Sequence, residues 1–397
     1  MKQYIFTERA HYMCPNMHFG IMAMIDAAFD MDKIKGSIKV LQSAHPLLRS
    51  LIAEEKGTDK IYYDIKDELK IPLFNCRNKA EWRDDYKKIT QGGWNVQKEA
   101  LLKVAVYKNE DSFTVLFVAH HLLTDGRGLL GLVEEFADHY VKGKIPETVE
   151  EQLITGLGDL PEGSDLPFIS RVVVNDANKK WTKEDHRVTY DEYLKFEKDY
   201  LSKNMVNYEL QVLADHEFAG LIDMCKENDV SVNDYLIAAM MIDNKTDKVV
   251  IASDIRKKCK CYRQGSLGNF ATAFGVSVKR CDDLSKLSKK VSSEVKKIVS
   301  DPSKEMLVLA CYINMKQELI DAAPIASLGT FNSNAGRFVG QKMFGYAKRN
   351  GHCVTNLGKI SSDVISEAAF IPPASPANRM AWGVLTVNEK MAIVKLS

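Results

Sequence analysis

The chain has 397 residues, with 54 Lys and Arg against 53 Asp and Glu and 45% hydrophobic residues. This length implies about two domains of ordinary size, and a formal net charge of +1 leaves no electrostatic footprint for nucleic acid as the main partner. No apolar run approaches the roughly 20 residues that span a bilayer, and the start from Met1 to Arg9 carries charge where a secretory signal needs an apolar core. The eight cysteines match neither a zinc site nor a redox pair. A cytoplasmic protein with reduced thiols and no bound metal is therefore expected.

In chain order, Phe19 to Ala28 is short and apolar and reads as a strand. Asp32 to Ala44 has helical spacing through Ile34, Ile38 and Leu41, and His45-Pro46 ends it because proline cannot continue a helix. A strand through Leu48 to Ile52 follows. Leu101 to Tyr107 and Ser112 to His120 are two further strands, and the polar run Lys108 to Asp111 between them predicts a hairpin. Leu129, Leu132, Val133, Phe136, Ala137 and Tyr140 share one face of a helix from about Gly128 to Val141, which stops near Gly143.

Ile145 to Asp165 combines Gly, Pro and acids without periodicity, which marks an inter-domain connection. Domains of 1–155 and 156–397 are expected on that basis. Lys179 to Lys198 is strongly polar and predicts neither helix nor strand. Ser231 with Asp234 three residues on forms a capping-box pattern and opens a helix to Met241. A strand at Val249 to Ser253 and an amphipathic helix at Lys286 to Ile298 come next. Strands at Gly351 to Asn356, Ala368 to Ile371, Ala381 to Val387 and Lys390 to Leu396 close the chain.

The segment richest in chemistry is His120-His121-Leu122-Leu123-Thr124-Asp125-Gly126. Successive side chains of a strand point to opposite faces, so the two histidines cannot face the same space, and alternation alone does not choose between them. Diverging histidines also make a poor metal pair, and no third ligand lies at usable spacing. Asp125-Gly126 sits where the strand must turn into the next helix, and both residue types suit such a turn.

This segment resembles the His-His-x-x-x-Asp-Gly signature of the superfamily of chloramphenicol acetyltransferases, peptide-synthetase condensation domains, plant BAHD acyltransferases and alcohol acetyltransferases. Other segments agree in chain order. His45-Pro46-Leu47-Leu48-Arg49 resembles an early His-Pro-x-Leu-Arg element, Ser231 to Leu236 a helix start in the second half, Asp254-Ile255-Arg256 and Leu267-Gly268-Asn269-Phe270 the Asp-x-Arg and Gly-Asn-Phe elements, and Thr355-Asn356-Leu357-Gly358 a Ser/Thr-Asn-x-Gly element of alcohol acetyltransferase-like members. The Asp-Phe-Gly-Trp-Gly segment of BAHD enzymes is absent, which disfavours a plant-type assignment. No carrier-protein or adenylation-like segment adjoins, so a stand-alone enzyme is expected.

The resemblance implies an α/β fold of two similar subdomains, each a mixed sheet flanked by helices, with an active-site channel between them that reaches His121 from two openings. It implies His121 as general base for a hydroxyl or amine attacking an acyl thioester, with acyl-coenzyme A or an acyl carrier protein as co-substrate and no tightly bound cofactor. His120 is then a packed, orienting histidine, and Asp125 a structural partner of Arg256. Gly126 keeps the channel open, and Thr355, Asn356 and Asn269 are candidates for an oxyanion or channel role. An amide-forming enzyme with a carrier-bound donor and a non-catalytic binding member of the fold are the competing expectations.

Overall fold

The computed structural model describes residues 2–184, 186–346 and 348–397; Met1, where the first expected domain begins, lies outside the described residues. In the first part of the chain the strands are β1 (Lys2–Tyr4), β2 (His18–Ile25), β3 (Ser50–Glu54), β4 (Ile61–Ile65), β5 (Leu73–Cys76), β6 (Leu102–Lys108) and β7 (Phe113–His120). Later strands are β8 (Tyr208–Val212), β9 (Lys248–Asp254), β10 (Ala271–Ser277), β11 (Gly351–Ile360), β12 (Ile365–Ile371), β13 (Asn378–Val387) and β14 (Lys390–Leu396). They form a five-stranded sheet in the order β12-β2-β7-β6-β5, a six-stranded sheet in the order β10-β9-β11-β13-β14-β8, and a small sheet β1-β4-β3.

Every residue of β7 is buried, which its near-continuous apolar run requires of a strand covered on both faces. It pairs with β6 through the expected hairpin, Lys108 opposite Phe113, and with β2 in a register that sets His120 opposite His18. Helices α1 (Met31–Ala44) and α2 (Trp82–Thr90) come before β7, and α3 (Gly126–Lys142) follows it. Helix α1 opens on an Asp30 carboxylate that accepts the Asp32 and Lys33 amides. Helix α3 ends at Gly143, whose φ of 70° is the left-handed stop that glycine supplies cheaply. Its stripe of Leu129, Leu132, Val133, Phe136 and Tyr140 is buried in the same core as β2 and β7.

In the second half, α4 (Phe168–Thr182) and α5 (Tyr190–Lys203) occupy much of the stretch that sequence periodicity left unassigned. Thr189 and Glu192 form a reciprocal cap that starts α5. Lys179 to Lys198 hid these helices because the buried positions are tyrosines, a tryptophan and a glutamate, residues that do not read as an apolar stripe. Next come α6 (Asp215–Glu227), α7 (Val232–Asp243), capped by Ser231 as expected, and α8 (Leu284–Val299). Buried residues of α6 to α8 pack in one cluster with those of the six-stranded sheet.

The division expected at residues 155 and 156 follows chain order but not the sheets. Strand β12 leaves the second half and pairs antiparallel with β2, Phe370 opposite Ile21. Helix α5 also enters the first core, where Tyr190 and Tyr193 are buried. The expected strand at Leu48 to Ile52 starts instead at Ser50, because Pro46 to Arg49 forms a short 3-10 turn. Strands β1, β4, β5, β8 and β10 were absent from the sequence reading; most are short edge strands with little alternation.

Candidate active site

The two histidines separate at the end of β7. His120 is its last residue and is buried at 3% exposure, while His121 begins the turn and is partly exposed. The His120 Nδ1 accepts the Leu122 amide at 3.2 Å, and its ring meets Trp94 edge-on at 5.8 Å between centroids. Burial, aided by His18, His121 and Lys103, holds its pKa well below the ordinary imidazole value. His120 is a neutral, packed histidine.

His121 is held by groups from both halves. Its backbone amide donates to the Met17 carbonyl at 2.8 Å. Asn269, from the segment between β9 and β10, forms a two-point closure: its Nδ2 donates to the His121 carbonyl at 2.6 Å, and its Oδ1 lies 2.7 Å from the His121 Nδ1. A carbonyl only accepts, so the amide orientation is determined, and Nδ1 must be the protonated nitrogen that donates to Oδ1. Nε2 therefore carries the lone pair, and it has no hydrogen-bond partner among the described residues. Burial lowers the His121 pKa, opposed by the charge of Asp125 and by the Asn269 bond.

Asp125 lies four residues on and is saturated. As the cap of α3, its Oδ1 accepts the Gly128 amide at 3.0 Å and the Arg256 Nη2 at 2.7 Å, and its Oδ2 accepts the Phe270 amide at 2.8 Å. The aspartate and arginine side chains are 4% and 10% exposed. Burial alone would raise the carboxyl pKa, but Arg256 and these bonds outweigh it and hold the pKa below the usual carboxylate value. Arg256 also reaches Asp254 at 3.1 Å. Thr124 completes the seam, with its hydroxyl donating to the Gly268 carbonyl at 3.3 Å.

The remaining expected site residues make no hydrogen bond to His121 among the described residues. A Cβ at Gly126 would lie 2.7 Å from the Leu357 Cδ2 and 3.3 Å from the Phe370 ring, so glycine lets α3 approach β11 and β12. Thr355 and Asn356 make no hydrogen bond to His121: the Asn356 side chain accepts the Gly358 amide at 2.8 Å within the bulge of β11, and Thr355 neighbours the Cys353 sulfur at 3.9 Å. A cleft of about 1070 Å3 opens beside the outer face of α3, with Gly128, Gly131, Arg256, Tyr262 and Ser266 in its walls. A second pocket, of about 70 Å3, lies at Asn16 and His18. His121 lines neither of these two cavities.

Residues that sequence reasoning missed complete the surroundings. The His11 ring stacks on the His121 ring at 4.2 Å with an 18° interplanar angle, and Phe19 packs against it at 4.8 Å. His11 ends the short turn Thr7–His11, whose Glu8 carboxylate accepts the Asn269 amide at 3.4 Å. Arg9 of the same turn is paired with Asp321, Nη2 to Oδ2 at 2.6 Å, and both are about 5% exposed. A five-residue turn has no periodicity to read.

Two sheets joined at a histidine-bearing strand end, with an Asp-Arg pair across the seam, are the arrangement that the His-His-x-x-x-Asp-Gly resemblance implies. Residues 6–155 match the family model described as Condensation domain. Bacitracin synthase 3 of Bacillus licheniformis is 28% identical over 150 residues, which are 36% of this chain and 2% of that protein's length. In fold, the chain is similar over its whole length to the trichothecene 15-O-acetyltransferase of Fusarium sporotrichioides, with a TM-score of 0.64, 9% identity and 90% of that chain covered. It is similarly close to the first condensation domain of the calcium-dependent antibiotic synthetase, with a TM-score of 0.62, 10% identity, and 100% of this chain and 91% of that one covered. The whole chain thus has the fold of condensation domains and chloramphenicol acetyltransferase-like acyltransferases, and residues 6–155 are similar to condensation domains in sequence. Among the described residues no helix is long and apolar enough to cross a membrane.

Proposed function

We propose that the protein transfers an acyl group from a phosphopantetheine thioester, acyl-coenzyme A, to a hydroxyl acceptor, with His121 as general base. The observation that carries this reading is the Asn269 closure, which leaves the His121 Nε2 as an unprotonated, unpartnered acceptor at the seam of the two halves. Nε2 takes the acceptor hydroxyl's proton as its oxygen attacks the thioester carbonyl, and returns that proton to the departing thiolate. Asp125 relays no proton, since all its bonds are structural. Eight free cysteines among the described residues fit a cytoplasmic setting, where thioester donors are supplied.

A second reading, amide formation from a donor on a carrier protein, is supported by the condensation-domain match over residues 6–155. Thiol release measured with acyl-coenzyme A and with acyl-pantetheine carrier donors, against panels of alcohols and amines, separates the two. Release with coenzyme A donors that depends on an alcohol supports the first. Release only with carrier-bound donors and amines overturns it in favour of the second. No binding of any pantetheine thioester overturns both and leaves a non-catalytic member of the fold.

A further inference from the structure

We propose that His11 is a second catalytic residue of this site, whose Nε2–H donates a hydrogen bond to the oxyanion formed at the thioester carbonyl. This inference rests on the acyl-transfer reading above and deepens it. Any such reaction needs a donor where negative charge develops. Asn269, expected in an oxyanion or channel role, spends its amide nitrogen on the His121 carbonyl and its oxygen on Nδ1.

His11 is in direct ring contact with the base, 4.2 Å between centroids and nearly parallel. Its Nδ1 is buried and has no hydrogen-bond partner, whereas the residue as a whole is partly exposed. Leaving a buried N–H without an acceptor is costlier than leaving a lone pair unused. The favoured tautomer therefore has a bare Nδ1 inside and the proton on Nε2. Burial, with His121 and His120 nearby, keeps the His11 ring neutral, so it does not compete for the proton that His121 must accept.

The site then presents two imidazoles in opposite roles, one accepting and one donating. As the acceptor oxygen bonds to the carbonyl carbon, its proton moves to the His121 Nε2 and the C=O electron pair moves onto oxygen. The His11 Nε2–H bonds to that oxyanion without transferring its proton. When the C–O double bond re-forms, the C–S bond breaks and the thiolate leaves with the proton from His121.

The test compares His11→Phe, which keeps a stacked ring without a donor, with His11→Gln, which keeps a donor without the ring. His11→Phe is expected to lower kcat by about 100-fold to 1,000-fold with little change in the donor KM, and a melting midpoint near that of the unmodified protein. His11→Gln is expected to recover part of the loss. A fully active His11→Phe variant overturns the proposal and reduces His11 to a packing group. Spectra of 15N-labelled histidine, assigned with the same variants, give a readout independent of turnover. A His11 ring protonated on Nδ1 overturns the proposal even if no donor is active, and a protein that releases no thiol from any donor fails the acyl-transfer reading instead.

Discussion

The surroundings of His121 and of Asp125 lie four residues apart in the chain and are built in opposite ways. His121 is bounded by neutral groups, an amide, a second imidazole and a phenyl ring, and keeps one nitrogen without a partner. Asp125 meets a guanidinium and two backbone amides, and both its oxygens are occupied. A group that must gain and lose a proton is served by neighbours whose interactions survive either state. A group that joins two halves is served by charge that cannot be removed cheaply. The motif thus separates chemistry from assembly within one turn.

The sharpest way to break this contrast is His121→Ala. Its loss should lower kcat by about 100-fold to 10,000-fold, while the melting midpoint stays within about 2 °C because a partly exposed ring supports little packing. A variant that melts early with its remaining activity intact would reverse the assignment of roles. Asp125→Ala should do the converse. It strands the buried Arg256 and two amides, so about 3 to 5 kcal/mol of stability should be lost in chemical denaturation. A variant of normal stability would show that the two halves are held elsewhere.

Asn269→Ala tests the tautomer. Freed from Oδ1, the His121 ring can place its proton on either nitrogen, and about a tenfold loss of kcat is expected from one missing hydrogen bond. The unmodified enzyme should keep its kcat/KM as pH falls through the ordinary imidazole value near 6.5 and lose it only below, because the His121 pKa is lowered. An acid limb at or above the ordinary value would contradict the neutral surroundings.

His45 sharpens the comparison from the other side. It is 1% exposed, its Nε2 lies 2.6 Å from the Glu135 Oε2, and its Nδ1 lies 3.4 Å from the Glu151 Oε1. The Nδ1 contact is long and poorly aligned, so it acts mainly through charge. Burial alone would lower its pKa, but the two carboxylates outweigh that and raise it to about 9. A histidine raised in the folded state stabilises fully below its unfolded pKa and loses that contribution as pH rises through the folded value. The melting midpoint should therefore decline by a few degrees between about pH 6.5 and 9, on the scale of about 3 kcal/mol across that shift. In His45→Gln that slope should flatten; a slope that persists would assign it to another group.

Much of this was legible in the residues because it is local. The continuous apolar run of β7, the stripe of α3 and the turn at Asp125-Gly126 are consequences of strand burial, helical period and capping within a few residues of each other. Strand alternation required His120 and His121 to be inequivalent, and only the structure shows that the strand ends between them. Arg256 was within reach through the resemblance of Asp254-Ile255-Arg256 to a family element, and its 2.7 Å contact with Asp125 joins residues 131 apart in sequence.

What remained hidden depends on long-range packing. The crossing of β12 onto β2 cannot be read from either strand, since each is simply an apolar run that any sheet edge would accept. The resemblance implies an oxyanion or channel role for Asn269, and its two bonds to His121 make it the residue that sets the tautomer. His11 carries no periodicity, cap or motif, and stands beside His121 on a turn anchored through Arg9 to Asp321 and through Glu8 to Asn269. Sequence determined many of the segments that become elements and where the histidine pair lies, because those depend on neighbours in the chain. Tertiary structure decided which His121 nitrogen is left without a partner and what stands against its ring, because both depend on contacts between groups more than 100 residues apart.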